Sequence, residues 1–264
     1  MSSTRRERNT WIYSSEMEVL GGIWLNEPAN ITNTRFYQMC EIFLIFPKEK
    51  QRWRLYHLDG NNRPNDSVTR DMEEMKPGKY VVLGPSKEEI KVKVSTEEAV
   101  YQIRATSSPG ASRDNQGHFR QSLMQRDKKT CAVSGLCGGI SNPGKGLEAA
   151  HIFPRGRYDV WLRDNMERHI SDQTPAEQIG PDGLYSAQNG LVMDKQVHDP
   201  FNAYNLTVDV HNGYRVVVFL QDTRRLGGNV LNISTRSGNP NHRASDALLR
   251  WHFRTGVLRW MRGP

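Results

Sequence analysis

A histidine at position 151 and a histidine–asparagine pair at 198 and 202 are the residues of this 264-residue chain whose types and spacing bear most directly on chemistry. His151 lies in LEAAHIFP, residues 147–154. A short apolar strand there places Leu147, Ala149 and His151 on one face and Glu148, Ala150 and Ile152 on the other. Pro154 stops it from continuing as a central strand. A neutral imidazole near a strand end can take a proton from water, the step that phosphodiester hydrolysis requires. Taken alone, such a histidine is ordinarily a hydrogen-bonded member of a half-buried strand. His198 and Asn202 alter that reading. They are four residues apart, so on a helix they share one face and can offer a ring nitrogen and an amide oxygen to one divalent cation.

The elements that must position these groups are legible around them. Asn189-Gly190 is a tight-turn signal, and Asp194 is an expected N-cap for the helix that carries His198. After that helix, NLTVDV, His211-Asn212-Gly213 and YRVVVF predict a β-hairpin with a type I′ turn. Upstream, FRQSLMQRD predicts a helix that leads into CAVSG at 131–135.

Strand with histidine, turn with asparagine and helix with histidine is the order of a ββα-metal nuclease. The dispersed pattern CAVSG, LEAAHI.P, NGLVM and H..F resembles the HNH endonuclease superfamily, in the branch with an AAHI-P strand and an NGL-L turn before the last histidine. The ending LLRWHFRTGVLRWMRG also resembles the C-terminal helix of fungal proteins bearing that domain. The resemblance covers residues 121–219 and, more loosely, the C-terminal helix. It implies that His151 is the general base that activates water, and that Asn189 pins the loop so that His151 is aimed. His198 would be the second histidine, at the metal. It further implies a divalent cation, Mg²⁺ or Mn²⁺, that polarises the scissile phosphate, although histidine ligation alone does not select among divalent metals. The implied reaction is hydrolysis of DNA phosphodiester bonds, with RNA left open.

The chain departs from that pattern at three places. Many such enzymes carry Asp or His just before the base, where this chain has Ala150; Glu148, on the same strand face, is the substitute candidate, so the expected metal residues are His198, Asn202 and Glu148. Asn202 stands where the branch usually has Asp, and a neutral amide holds a divalent cation less tightly. Pro200 sits inside the expected helix and removes a backbone donor. These departures keep open a second reading, a degenerate HNH scaffold that binds nucleic acid or protein. Lys145, Arg155 and Arg157 flank the His151 strand and are the expected phosphate contacts.

Composition frames this reading. A formal charge of +7 favours polyanionic partners, so nucleic acid, foremost DNA, is the expected partner. No apolar run approaches the roughly 20 residues of a membrane span, and MSSTRRERNT lacks the apolar core of a secretory signal; an intracellular protein of cytoplasm or nucleus is expected. Three cysteines, Cys40, Cys131 and Cys137, suit a reducing compartment, and their spacing is not that of a zinc ribbon.

The fold expected is α+β: a β-rich accessory domain over 1–105, a linker over 106–117 (TSSPGASRDNQG), and an HNH domain with a C-terminal helix over 118–264. Within the first part, residues 1–30 read as polar with Trp11, Ile12, Leu20 and Trp24 as docking points. CEIFLIF (40–46), RWRLYHL (52–58), residues 79–83 and IKVKV (90–94) predict strands, and DMEEM a helical turn. The helix over 244–262 is expected to pack Leu248, Trp251, Phe253, Leu258 and Met261 inward and leave Arg250 and Arg254 in water.

Overall fold

The structure, a computed structural model, describes residues 7–28, 30–46, 52–100, 113–139 and 144–263. It is α+β, with the ββα element in the C-terminal half, a β-rich N-terminal region and a C-terminal helix. Two compact units are present, neither a single stretch of chain: residues 1–99 with 217–228 and 254–264, and residues 100–216 with 229–253. No helix among the described residues is long and apolar enough to cross a membrane.

The first unit is built on a five-stranded sheet whose strands, in spatial order, are Val19–Ile23, Thr10–Tyr13, Gly78–Leu83, Arg54–Leu58 and Pro64–Ser67. Strand β1 (Thr10–Tyr13) pairs antiparallel with β2 (Val19–Ile23), within the stretch read from sequence as polar with docking points. Ile12 and Leu20 are buried here as strand residues. Helix α1 (Asn33–Phe43) follows, with the Thr32 side chain accepting from the Arg35 amide at its start. Part of the expected strand at 40–46 is therefore helix: Phe36, Met39, Cys40 and Phe43 are buried at helical spacing. Only β3 (Leu44–Ile45) is extended, paired with β7 (Lys93–Val94), which is all that forms of the expected strand at 90–94. The expected strands at 52–58 and 79–83 appear as β4 (Arg54–Leu58) and β6 (Gly78–Leu83), with β5 (Pro64–Ser67) at the sheet edge. DMEEM forms no helical turn; Glu74 instead bridges Thr32.

This unit is completed from far along the chain. Gly22 donates its amide to the Met261 carbonyl at 2.8 Å, and Gly21 forms a β-bridge with Arg262. A Cβ on Gly21 would stand 2.2 Å from the Met261 oxygen, so only glycine admits that approach. Arg8 donates to the Trp260 carbonyl at 2.9 Å. The Asn26 side chain brackets the 217–228 segment, donating to the Leu220 carbonyl and accepting from the Asp222 amide.

In the second unit, helix α2 (Arg113–Arg126) begins earlier than FRQSLMQRD implies. Residues 113–117, read from sequence as linker, are its first turns; residues 106–112 lie outside the described residues. Strand β8 (Leu147–His151), helices α3 (Tyr158–Arg163) and α4 (Ala176–Ile179), strand β9 (Gly190–Asp194), helix α5 (Lys195–Asn202) and the pair β10 (Leu206–Asp209) and β11 (Arg215–Val218) follow in order. The hairpin is present, but its loop is not a type I′ turn. A 3-10 turn over Val210–Asn212 precedes Gly213 and Tyr214, both at positive φ.

Helix α6 (Asp246–Trp260) closes the chain. Leu248, Phe253, Leu258 and Met261 are buried and Trp251 is half-buried, while Arg250 and Arg254 are exposed and paired with Asp246 and Glu97. The sequence reading missed His252, which is enclosed in the core of unit 2. Its ring stacks on Phe201 at 3.9 Å, and its Nε2 donates to the Phe201 carbonyl at 3.2 Å. Burial pushes its pKa down to about 3, against an ordinary 6.5. Unfolding lets it bind a proton that the folded state refuses, so stability falls as pH drops below about 6.5, by about 1.4 kcal/mol per pH unit. Acid melts of a His252→Phe variant that still folds are expected to show a shallower loss of Tm between pH 6 and 4. An unchanged slope would remove His252 as the cause.

Candidate active site

Strands β8 and β9 pair antiparallel with Leu147 opposite Asp194, Ala150 opposite Leu191 and His151 opposite Gly190. Helix α5 follows β9 directly and packs on both strands. Its start is set by Asp194, whose carboxylate accepts from the Val197 amide at 3.1 Å and from the Ser134 hydroxyl at 2.7 Å. CAVSG thus supplies a ligand to the cap, and the Ala132 amide donates to the Val192 carbonyl beside it. Pro200 lies inside α5, but the helix starts immediately after its cap and runs through to Asn202.

His151 closes β8. Its ring stacks on Phe119 of α2 at 4.1 Å and meets the Tyr185 ring edge-on at 5.5 Å. The residue as a whole is half-buried, while Nε2 is enclosed with no hydrogen-bond partner. Burial first, then the positive charge of Arg155 and the influence of His198, push its pKa down to about 3. Below the ring, Gly190 makes room: a Cβ there would stand 2.4 Å from Phe119 and 2.6 Å from Leu123. Gly190 itself is extended, with φ −150°. The Asn189-Gly190 pair is therefore not a turn that needs glycine for its backbone, as the sequence suggested. It is a point of close approach between α2 and β9.

Asn189 is fully buried in the 3-10 turn that enters β9. Its side chain accepts from the Phe153 amide at 2.8 Å and donates to the carbonyls of Phe153 and Leu184 at 3.3 and 3.0 Å. Its own carbonyl accepts from Ile152 at 2.9 Å. Three bonds thus tie Asn189 to the residues just after His151, and a fourth ties it to Leu184. Such a saturated buried amide fixes a backbone path more firmly than packing alone.

On α5, His198 Nδ1 lies 2.6 Å from Glu148 Oε2. A carboxylate accepts, so Nδ1–H donates, and Nε2 is left as the ring nitrogen open to a cation. Asn202 lies one turn further along α5 and is half-buried. The imidazole Nε2 and the Asn202 amide are donors of the kind that Mg²⁺ and Mn²⁺ accept when water and phosphate fill the remaining positions, while Glu148, expected from sequence as a ligand, is engaged at Nδ1 and orients the ring instead. The donor chemistry fits such an ion. Among the described residues no third His, Cys, Asp or Glu joins the pair.

Lys145 is exposed in the loop before β8, and Arg155 and Arg157 form the 3-10 turn after it. Arg157 is engaged by Asp159 at 3.2 Å. Cys131 is buried and Cys137 exposed, both as free thiols.

Sequence reasoning gave no role to Arg126 and Asp127. They form a bidentate ion pair with side chains 5% and 0% exposed. Asp127 accepts from the Val192 amide at 2.8 Å; Arg126 donates to the carbonyls of Ala187, Gly190 and His242. The pair therefore grips β9 and the Asn189 turn from behind. The adjacent Gln188 is held in turn by Ser171 and Pro240.

Residues 131–209 match the family model described as HNH endonuclease, and residues 7–88 match a Domain of unknown function (DUF8573). No curated protein matches the chain. A solved structure, "Modification dependent TagI restriction endonuclease", is similar at 11% identity and a TM-score of 0.34, over 95% of this chain and 93% of that one.

Proposed function

From the HNH endonuclease domain that residues 131–209 form, we propose that this chain is a divalent-metal-dependent endonuclease that hydrolyses phosphodiester bonds of DNA. The observation that carries the proposal is the ββα juxtaposition. His151 ends one strand, Asn189 ties down the turn after it, and His198 sits on the following helix against Glu148. With Nε2 enclosed, His151 meets a water through Nδ1 and takes its proton there as the water attacks phosphorus. Asn189 keeps the strand end rigid, which holds that nitrogen in line. His198, through Nε2, and Asn202 would hold the cation, with Glu148 orienting the His198 ring through Nδ1; when bound the cation would stabilise charge on the phosphate and the leaving 3′ oxygen. Lys145, Arg155 and Arg157 contact the flanking phosphates.

The test is plasmid nicking at near-neutral pH with Mg²⁺, Mn²⁺, Ni²⁺, Zn²⁺ or EDTA, run beside a structured RNA. Cleavage is expected with at least one metal and none in EDTA. Calorimetric titration with Mn²⁺ is expected to show one site that His198→Ala removes. The second reading, a degenerate HNH scaffold, is favoured by Ala150 and Asn202 standing where a charged ligand is usual. Folded protein that neither cuts nor binds any of these metals would establish it.

A further inference from the structure

A cavity in the first unit has nothing to do with the ββα element. It encloses about 620 Å³ between α1, β4 and the segment after β5, within the few-hundred to thousand Å³ range of small-molecule sites. Three arginines line it, Arg52, Arg54 and Arg70, against a single carboxylate, Glu41. Its floor is aromatic. Tyr37 is fully buried, and its hydroxyl accepts from the Leu55 amide at 2.7 Å and donates to the Val68 carbonyl at 2.8 Å. Trp53 packs against Tyr37 at 4.9 Å and stacks on Phe46 at 5.2 Å.

Arg70 is the unusual member. Its guanidinium lies 4.1 Å above the Tyr37 ring and 5.1 Å from that of Trp53, and Glu41 holds its edge at 2.7 Å. The guanidinium thus rests against two rings and is tethered by one carboxylate contact. The side chain is nonetheless 43% exposed, so a rigid cationic plate faces the cavity. A surface ion pair alone contributes little to stability; a backed, oriented guanidinium is a surface on which a planar ring stacks. Arg54 opens β4 and Arg52 lies two residues before it; both are exposed and both line the cavity. Among the described residues neither is paired with a carboxylate. Two such forks beside a stacking plate match a phosphate next to a base. Inorganic phosphate alone would leave most of the volume empty, and an apolar ligand would strand three charges.

We infer that this cavity binds a nucleotide, with its base on Arg70 and its phosphate between Arg52 and Arg54. The nucleotide is either free or part of a single-stranded stretch of nucleic acid. Only the second of these sources draws on the nuclease reading.

The test uses the full chain in EDTA, so that nothing is cut. Anisotropy of a labelled single-stranded oligonucleotide gives affinity and its salt dependence, with deoxynucleoside monophosphates as competitors. Arg52→Gln/Arg54→Gln, both surface changes, is expected to weaken binding tenfold or more. It should also flatten the slope of log K against log salt by about 0.7, since the one phosphate held between the two arginines is no longer neutralised. Arg70→Lys, which keeps the charge and loses the plate, is expected to weaken binding several-fold. Competition by monophosphates identifies a free-nucleotide site; binding of the oligonucleotide alone identifies a strand-binding one. Binding in EDTA is read separately from cleavage, so a wild-type protein that binds but never cuts with any metal would sink the nuclease reading and leave this inference standing. Wild-type affinity and salt slope in the double variant, or no binding of either probe by wild type, would overturn it.

Discussion

Replacing His151 with alanine is expected to abolish metal-dependent cleavage, by about 10²- to 10⁴-fold in kcat, while the protein remains folded. The ring contacts Phe119 and Tyr185, but its buried nitrogen makes no hydrogen bond. Its removal therefore leaves no orphaned partner, and any loss of stability is confined to packing. The pH dependence follows from the same burial. With the free-protein pKa pushed down to about 3, His151 is already neutral throughout the range above pH 4. An acid limb in kcat/KM between pH 5 and 7 must then belong to another group, since that parameter reports the free enzyme. A variant that cuts as fast as wild type would dismiss His151 as the base. Loss of all cleavage together with loss of the folded state would be checked with His151→Gln, which keeps most of the ring's volume.

Asp127→Ala is expected to be the most destabilising single change in the second unit, at about 3–5 kcal/mol. The carboxylate is wholly buried, grips one edge of the Arg126 guanidinium through Nε and Nη2, and accepts from the Val192 amide. Its removal leaves a buried guanidinium charge with only neutral carbonyls as partners and the Val192 amide without its acceptor, so an uncompensated charge and an orphaned donor are buried together. For a unit of this size the melting temperature is expected to fall by on the order of 10 °C. Cleavage measured well below the new transition should fall too, because the same pair grips the turn that carries Asn189. Arg126→Ala breaks the same pair from the other side, so the double variant should cost far less than the two single losses combined. A melting temperature for Asp127→Ala equal to that of wild type would refute the assignment.

The candidate site was largely legible in the sequence because its chemistry is tied to local signals. A strand-length apolar run ends in His151, Asp194 announces the helix, and the helical interval separates His198 from Asn202. Glu148 could be picked out by strand alternation, though not its bond to His198, which joins residues 50 positions apart. The Arg126–Asp127 clamp was invisible for the same reason. Its partners lie more than 60 residues away, and a charged pair in RDKKT reads locally as a solvated surface. Elsewhere the errors trace to short apolar runs. CEIFLIF satisfies strand and helix alike, and the deciding signal, a Thr32 cap with Phe36, Met39 and Phe43 spaced behind it, lay upstream. IKVKV alternated cleanly, yet only two of its residues found a partner strand.

The closure of the first unit by the last residues has a consequence for how the chain is made. Arg8 reaches a carbonyl 252 positions away, and β2 waits for Met261 and Arg262. Contacts of such separation form late, because the intervening loop must be ordered before they return anything. At about 5–20 residues per second, the ribosome needs on the order of ten to thirty seconds after the sheet has emerged before those segments exist. During that interval the glycine-bearing edge of β2 is an unpaired strand edge, open to any other extended chain. The nascent N-terminal half therefore calls for a chaperone or a slow, dilute synthesis, and expression of the sheet without its distant tail invites aggregation.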